Sequence, residues 1–143
     1  MAAALVLSLS LFGLGCQMMK KTTWLLSSNP YEGSTESAAQ GEAIYAARCA
    51  SCHGATGFGD GAAGKAFETP PRDLRAYIAD HTTAHFAAHV AYGKTGNPTM
   101  PGFLGVLTED QVWHVTNYVY SLGAVVRQPA GEANATAGSK PGG

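Results

Sequence analysis

The sequence predicts an all-α domain over residues 37–126. Three segments, 37–50, 82–92 and 107–122, combine good helix formers, capping residues or apolar residues at helical spacing. No stretch alternates apolar and polar residues in the manner of a half-buried strand. The connections between the segments are rich in glycine and proline, which interrupt regular structure. A chain of 143 residues is long enough for one small domain of this kind.

Ahead of the domain, Ala2–Gly15 is a nearly continuous apolar run, too short to span a bilayer comfortably and suited to a signal-peptide core. Residues 1–15 are therefore expected to be a signal peptide or short anchor. The run ends in Leu14-Gly15-Cys16, and small residues before a cysteine resemble the lipobox of bacterial lipoproteins. Gly13 stands where that pattern has leucine, and the basic residues Lys20 and Lys21 follow the cysteine instead of preceding the run. Cys16 is the expected lipidation site, with plain cleavage or a retained anchor as the alternatives. Residues 16–36 are expected to form a flexible tether, since Asn29–Gln40 is small, polar and turn-rich. Lys20 and Lys21 would lie beside lipid headgroups, with Trp24, Leu25 and Leu26 at the interface. Beyond the domain, residues 127–143 are rich in Ala, Gly and Pro without apolar period and are expected to be disordered.

Within the domain, the first helix is expected over Ser37–Ala50. Gly41 and Tyr45, four apart, share a face, and a mid-helix glycine makes sense where another helix crosses closely. Gly54–Gly64 holds five glycines, which permit tight or left-handed backbone around a planar body. A phosphate-binding loop would need a preceding strand and a following Gly-Lys-Ser/Thr, and both are missing. The middle helix is expected over Thr82–Tyr92, with Asp80 or Thr82 capping its start and Gly93 suiting its end. In the last helix, Thr108-Glu109-Asp110-Gln111 has the form of a capping box. Val112, Val115, Val119 and Leu122 then recur at helical spacing, and Gly123 is read as the stop.

The chemistry is concentrated in Cys49-Ala50-Ser51-Cys52-His53. Two thiols three positions apart can add across the two vinyl groups of a haem, leaving the adjacent histidine under the iron as an axial ligand. C-x-x-C-H is the pattern of c-type haem attachment. A structural zinc site would need two more soft ligands, and the only other cysteine is Cys16. A thioredoxin-like pair would sit in a βαβ pattern, which does not surround it. A plain Cys49–Cys52 disulfide is the remaining alternative. Met100 is the candidate sixth ligand. Met1 starts the chain, Met18 and Met19 lie beside the anchor, and Met100 alone lies in the domain, flanked by Pro98 and Pro101. A thioether is a soft, weak ligand that favours ferrous iron.

From about Gly41 to Leu122 the chain resembles a class I cytochrome c domain of the monohaem, bacterial respiratory type. The matching pieces are Gly41 and Tyr45, CASCHG at Cys49–Gly54, GFGDG at Gly57–Gly61, PPRDL at Pro70–Leu74, TMPGF at Thr99–Phe103, and the run Leu107–Leu122. The resemblance implies three to four helices wrapped around one covalent haem c, with His53 and Met100 on the iron. It implies a crossing of the first and last helices at Gly41, Tyr45, Val115 and Tyr118. It also implies a proline carbonyl that accepts from the other nitrogen of His53, with Pro71 the best match and Pro70 the next. Arg72 and Arg75 are the two candidates to neutralise a haem propionate.

Charged residues make up 13% of the chain and the net charge is −1, with no basic block that would suggest nucleic acid. His81, His85 and His89 fall on one helical face, where a solvent-facing stripe is the commoner explanation than zinc binding or replacement of the methionine. Trp113 reads as core and His114 as a surface or helix-packing residue. The expected function is single-electron transfer between redox protein partners. The protein would act in the bacterial cell envelope, held to the membrane by its N-terminus, as a tethered carrier or as a subunit of a quinol-oxidising or terminal-oxidase complex. The alternative is a haem enzyme or gas sensor in which Met100 dissociates.

Overall fold

The computed structural model describes residues 23–94 and 99–127. The expectations for residues 1–15, Cys16, Met18, Met19, Lys20, Lys21, Pro98 and the tail from residue 128 lie outside the described residues. After a helical turn at 23–26, the described residues run through α1 Thr35–Arg48, α2 Ala50–His53, α3 Leu74–Tyr77, α4 Thr83–Tyr92 and α5 Glu109–Arg127, with a 3-10 turn at Ala62–Ala66 between α2 and α3. Among the described residues there is no strand, only one isolated bridge between Leu104 and Leu107.

Helix α1 begins two residues before the expected Ser37 because Ser34, in extended backbone, caps it: the Ser34 side chain accepts from the Ser37 N–H. Glu36 in the first turn and Arg48 in the last suit the helix dipole. Its buried face is Ser37, Gly41 and Tyr45, each four residues from the next. Gly41 lies against the His114 carbonyl and the Tyr118 Cβ of α5, and a side chain at position 41 would overlap that carbonyl. The Tyr45 and Tyr118 rings meet at 5.2 Å. The expected crossing of first and last helices is thus present.

Helix α5 opens on the expected capping box: Gln111 N–H donates to Thr108 Oγ1 at 3.2 Å, and Thr108 N–H to Gln111 Oε1 at 2.9 Å. Val112, Val115 and Val119 are fully buried. Gly123 is not a stop, because the helix continues to Arg127. The glycine is there for Ile78, whose Cδ1 would stand 2.6 Å from a Cβ at this position. Thr82 caps α4 through Oγ1, and Gly93, at φ +74°, ends it.

The tether expected over 16–36 is corrected within the described residues. A helical turn at 23–26 places Trp24 in the core, its ring 5.1 Å from that of Trp113. Trp24 is therefore unavailable to a lipid interface, while Leu25 and Leu26 remain exposed. Asn29 is buried and donates to Asn117 Oδ1 at 2.7 Å; Asn117 donates in turn to the Tyr31 carbonyl and to Ser37 Oγ. Tyr31 stacks on His114 and donates to Asp110. Composition alone suggested a tether because the Asn29 amide and the Tyr31 hydroxyl find their partners more than 75 residues away, on α5.

Candidate functional site

The segment Cys49–Gly54 is one tight helical turn: Cys52 and His53 N–H both donate to the Cys49 carbonyl, and Gly54 N–H to that of Ala50. Cys49 and Cys52 are half-buried and not bonded to each other. Tyr45, one turn earlier, donates to the Gly54 carbonyl at 2.7 Å and ties α1 to the end of this turn.

The glycine-rich loop folds back over it. Gly64 lies so close to the Cys52 carbonyl and the Pro71 ring that a Cβ would stand 2.5 Å and 2.8 Å from them. Gly59, at φ +81°, packs its bare face on the carbonyl groups of Pro71 and Arg72. Gly59 N–H donates to the His53 carbonyl, and Leu74 N–H to Gly57. The glycines thereby press segment 70–72 onto the C-x-x-C-H turn. Asp73 then caps the short helix α3 by accepting from Arg75 and Ala76 N–H. That helix places Leu74, the last residue of the PPRDL piece, and Tyr77, which no sequence signal had marked.

Met100 sits where the chain returns alongside α4. Lys94 N–H donates to the Met100 carbonyl at 3.4 Å, Phe103 N–H to Val90 and Leu104 N–H to Ala91. Gly93 and Gly102 allow this approach, since a Cβ on either would stand within 3 Å of the facing backbone.

These pieces enclose a cavity of about 410 Å³, within the range of small-molecule and cofactor sites. Cys49, Cys52, His53, Pro71 and Met100 all line it, as does Pro70. Leu74, Phe86, Val90, Phe103, Val115 and Val119 supply apolar wall, and Arg48, Arg72 and Lys94 supply positive charge with no carboxylate among the lining residues. Of the two candidate propionate partners, Arg72 lines the cavity and Arg75 does not. Arg75 pairs with Asp73 at 3.3 Å, and its guanidinium lies 3.0 Å over the Phe58 ring.

Burial, with a smaller contribution from Cys52, pushes the Cys49 thiol up to about 11, so it stays protonated at neutral pH. Burial lowers the pKa of His53, an effect partly offset by the Arg72 backbone beside the ring; the imidazole is held toward its neutral, ligating form. His53 Nδ1 is buried without a hydrogen-bond partner, so no bond to the Pro71 carbonyl is formed. Buried polar atoms of this kind call for a specific explanation. Two thiols, an imidazole and a thioether on one apolar cavity fit a haem of the c type: soft and nitrogen donors for iron, and dry walls for the macrocycle.

Of the other candidates, Trp113 is core beneath Trp24, and His114 packs into the α1–α5 seam, 2.8 Å from Ser37 Oγ. His89 lines the cavity, whereas His81 and His85 do not. Phe67, also on the wall, had no sequence signal.

The sequence profile of the family described as "Cytochrome C oxidase, cbb3-type, subunit III" matches residues 36–119. No curated protein shows significant similarity to the chain. Among solved structures, a chain of the Kuenenia stuttgartiensis reducing HAO-like protein complex Kustc0457/Kustc0458 is similar, at 28% identity and a TM-score of 0.57. The match covers 65% of this chain and 46% of that one, so it spans less than half of the relative's length. That match spans more than half of the chain, and the chain belongs to the cytochrome c oxidase, cbb3-type, subunit III family, its folded part being a class I cytochrome c domain.

Proposed function

We propose that this chain transfers single electrons through one haem c in the cavity, bonded to Cys49 and Cys52 and ligated by His53 and Met100. The observation that carries the proposal is that these four side chains, far apart in sequence as two groups, line one apolar cavity. A haem held by these four side chains would supply one-electron cycling between ferric and ferrous iron. His53 would offer one ring nitrogen to the iron; its Nδ1 is buried without a partner, and the Arg72 backbone lies beside the ring. Met100 would be the second protein ligand, on a segment whose backbone is tied to Lys94 and α4. The apolar walls exclude water, and Arg48, Arg72 and Lys94 place positive charge at the cavity, which favours the reduced state.

Family and relative both support work within a larger assembly: the family is named for an oxidase subunit, and the relative belongs to a reducing HAO-like complex. We place the protein in the bacterial cell envelope, on the outer face of the cytoplasmic membrane, tethered through a lipidated Cys16. There it passes electrons from a redox protein donor to an acceptor, as a carrier or subunit beside a quinol-oxidising or terminal-oxidase complex.

The Met100→Ala variant tests the ligand set. The ferric protein is expected to show the far-red band of methionine-bound iron. The variant should lose the band, bind carbon monoxide when reduced and show a lower reduction potential. An unchanged spectrum and potential would assign the position to another side chain, with His89, also on the wall, the candidate.

A further inference from the structure

Trp24 enters the core from the segment ahead of α1. Its helical turn is closed by Ser27, whose N–H donates to the Trp24 carbonyl and whose hydroxyl donates to that of Thr23. Only 7% of Trp24 is exposed, and its ring lies 5.1 Å from Trp113 of α5. A buried indole N–H can only donate and needs an acceptor. It finds one in the phenol oxygen of Tyr92.

Tyr92 is the last residue of α4. The final carbonyls of a helix have no partner within it, and helix ends fray unless something holds them. At this end the partners come from the chain just after Met100. Phe103 N–H donates to the Val90 carbonyl at 2.9 Å, and Leu104 N–H to that of Ala91 at 3.0 Å. Gly102 lies against the Tyr92 backbone, where a Cβ would stand 2.8 Å from the carbonyl carbon. The last turn of α4 is thus the platform on which the Met100 segment rests, and Trp24 grips that turn from the side of α5.

We propose that Trp24 and Tyr92 are positioning residues for Met100, keeping the last turn of α4 from fraying and so keeping the methionine segment in place. The proposal rests on the ligand set given above and adds to it the part of the chain that holds the methionine. Neither Trp24 nor Tyr92 lines the cavity, so their effect on the iron runs through the backbone of α4.

The haem-loaded full chain is compared with Trp24→Phe, Tyr92→Phe and the double variant. Ser37→Ala, which removes bonds to His114 and Asn117 in the α1–α5 seam, is the control for lost stability. Two rates are read: amide exchange at Phe103 and Leu104, and binding of imidazole to ferric iron, which waits for Met100 to leave. Each single variant should speed both by about 2–10-fold, the equivalent of one hydrogen bond. The double variant should match Trp24→Phe alone, because the two side chains share that bond. Ser37→Ala should lower unfolding stability and leave both rates as in the parent. A parent without the far-red band overturns Met100 ligation, and this proposal with it. With the band present, unchanged rates in Trp24→Phe or Tyr92→Phe overturn the coupling alone. So do effects that add in the double variant, or that Ser37→Ala reproduces.

Discussion

The α1–α5 seam and the cavity half of the domain are built on different terms. At the seam Asn29, Asn117, Ser37, His114 and Tyr31 bond to one another or to backbone, beside the Trp24–Trp113 pair. Helix meets helix at Gly41 with no room for a methyl group. The cavity half is glycine-rich loop and two four-residue helices around an apolar hollow, with one orphaned imidazole nitrogen. The seam is complete as polypeptide. The cavity half has the donors and walls for something the chain does not itself supply.

Substitution at the crossing should produce the largest loss. Gly41→Leu forces α1 away from the His114 carbonyl, and overpacking of this kind costs about 3 kcal/mol or more. Denaturant unfolding of the haem-loaded protein should show that loss. Stability within about 0.5 kcal/mol of the parent would mean that the seam yields as readily as the loops.

Tyr45 links the two halves, and its loss should cost less. Tyr45→Phe keeps the ring on Tyr118 but leaves the Gly54 carbonyl without its donor, a penalty of about 1–3 kcal/mol for a buried acceptor. The variant also carries a pH signature. Burial, above all, raises the Tyr45 phenol above its ordinary value of 10.0. The unfolded chain therefore releases that proton first, so the contribution is complete below pH 10 and fades as pH rises above it. Tyr45→Phe should flatten this alkaline fall in stability. An equally steep fall would place its cause elsewhere.

The same contrast governs what could be read from the residues. Helix α5 was legible because a capping box and a run of valines are local signals. Gly123 was misread as a stop because the neighbour that needs its bare face, Ile78, is 45 residues away in the chain and adjacent only in space. The stretch before α1 looked like part of a tether over 16–36 because Asn29 and Tyr31 bond to residues on α5, which composition does not reveal. At the cavity, Cys49, Cys52 and His53 were legible as one motif, and Met100 by elimination among four methionines. The choice between Arg72 and Arg75 was not, because it turns on Arg75 being held by Asp73 and Phe58. Phe67, just after the 3-10 turn, and Tyr77, at the end of α3, reach the wall by a course that only the folded backbone sets.

The most direct measurement asks whether the hollow half is closed by a covalent cofactor. The haem-loaded wild type and the Cys49→Ala/Cys52→Ala double variant are denatured and extracted with acidified organic solvent. Two thioethers predict that haem stays on the wild-type polypeptide and passes into the solvent from the double variant. Haem extracted from the wild type, or retained by the double variant, would contradict the site built on Cys49, Cys52 and His53.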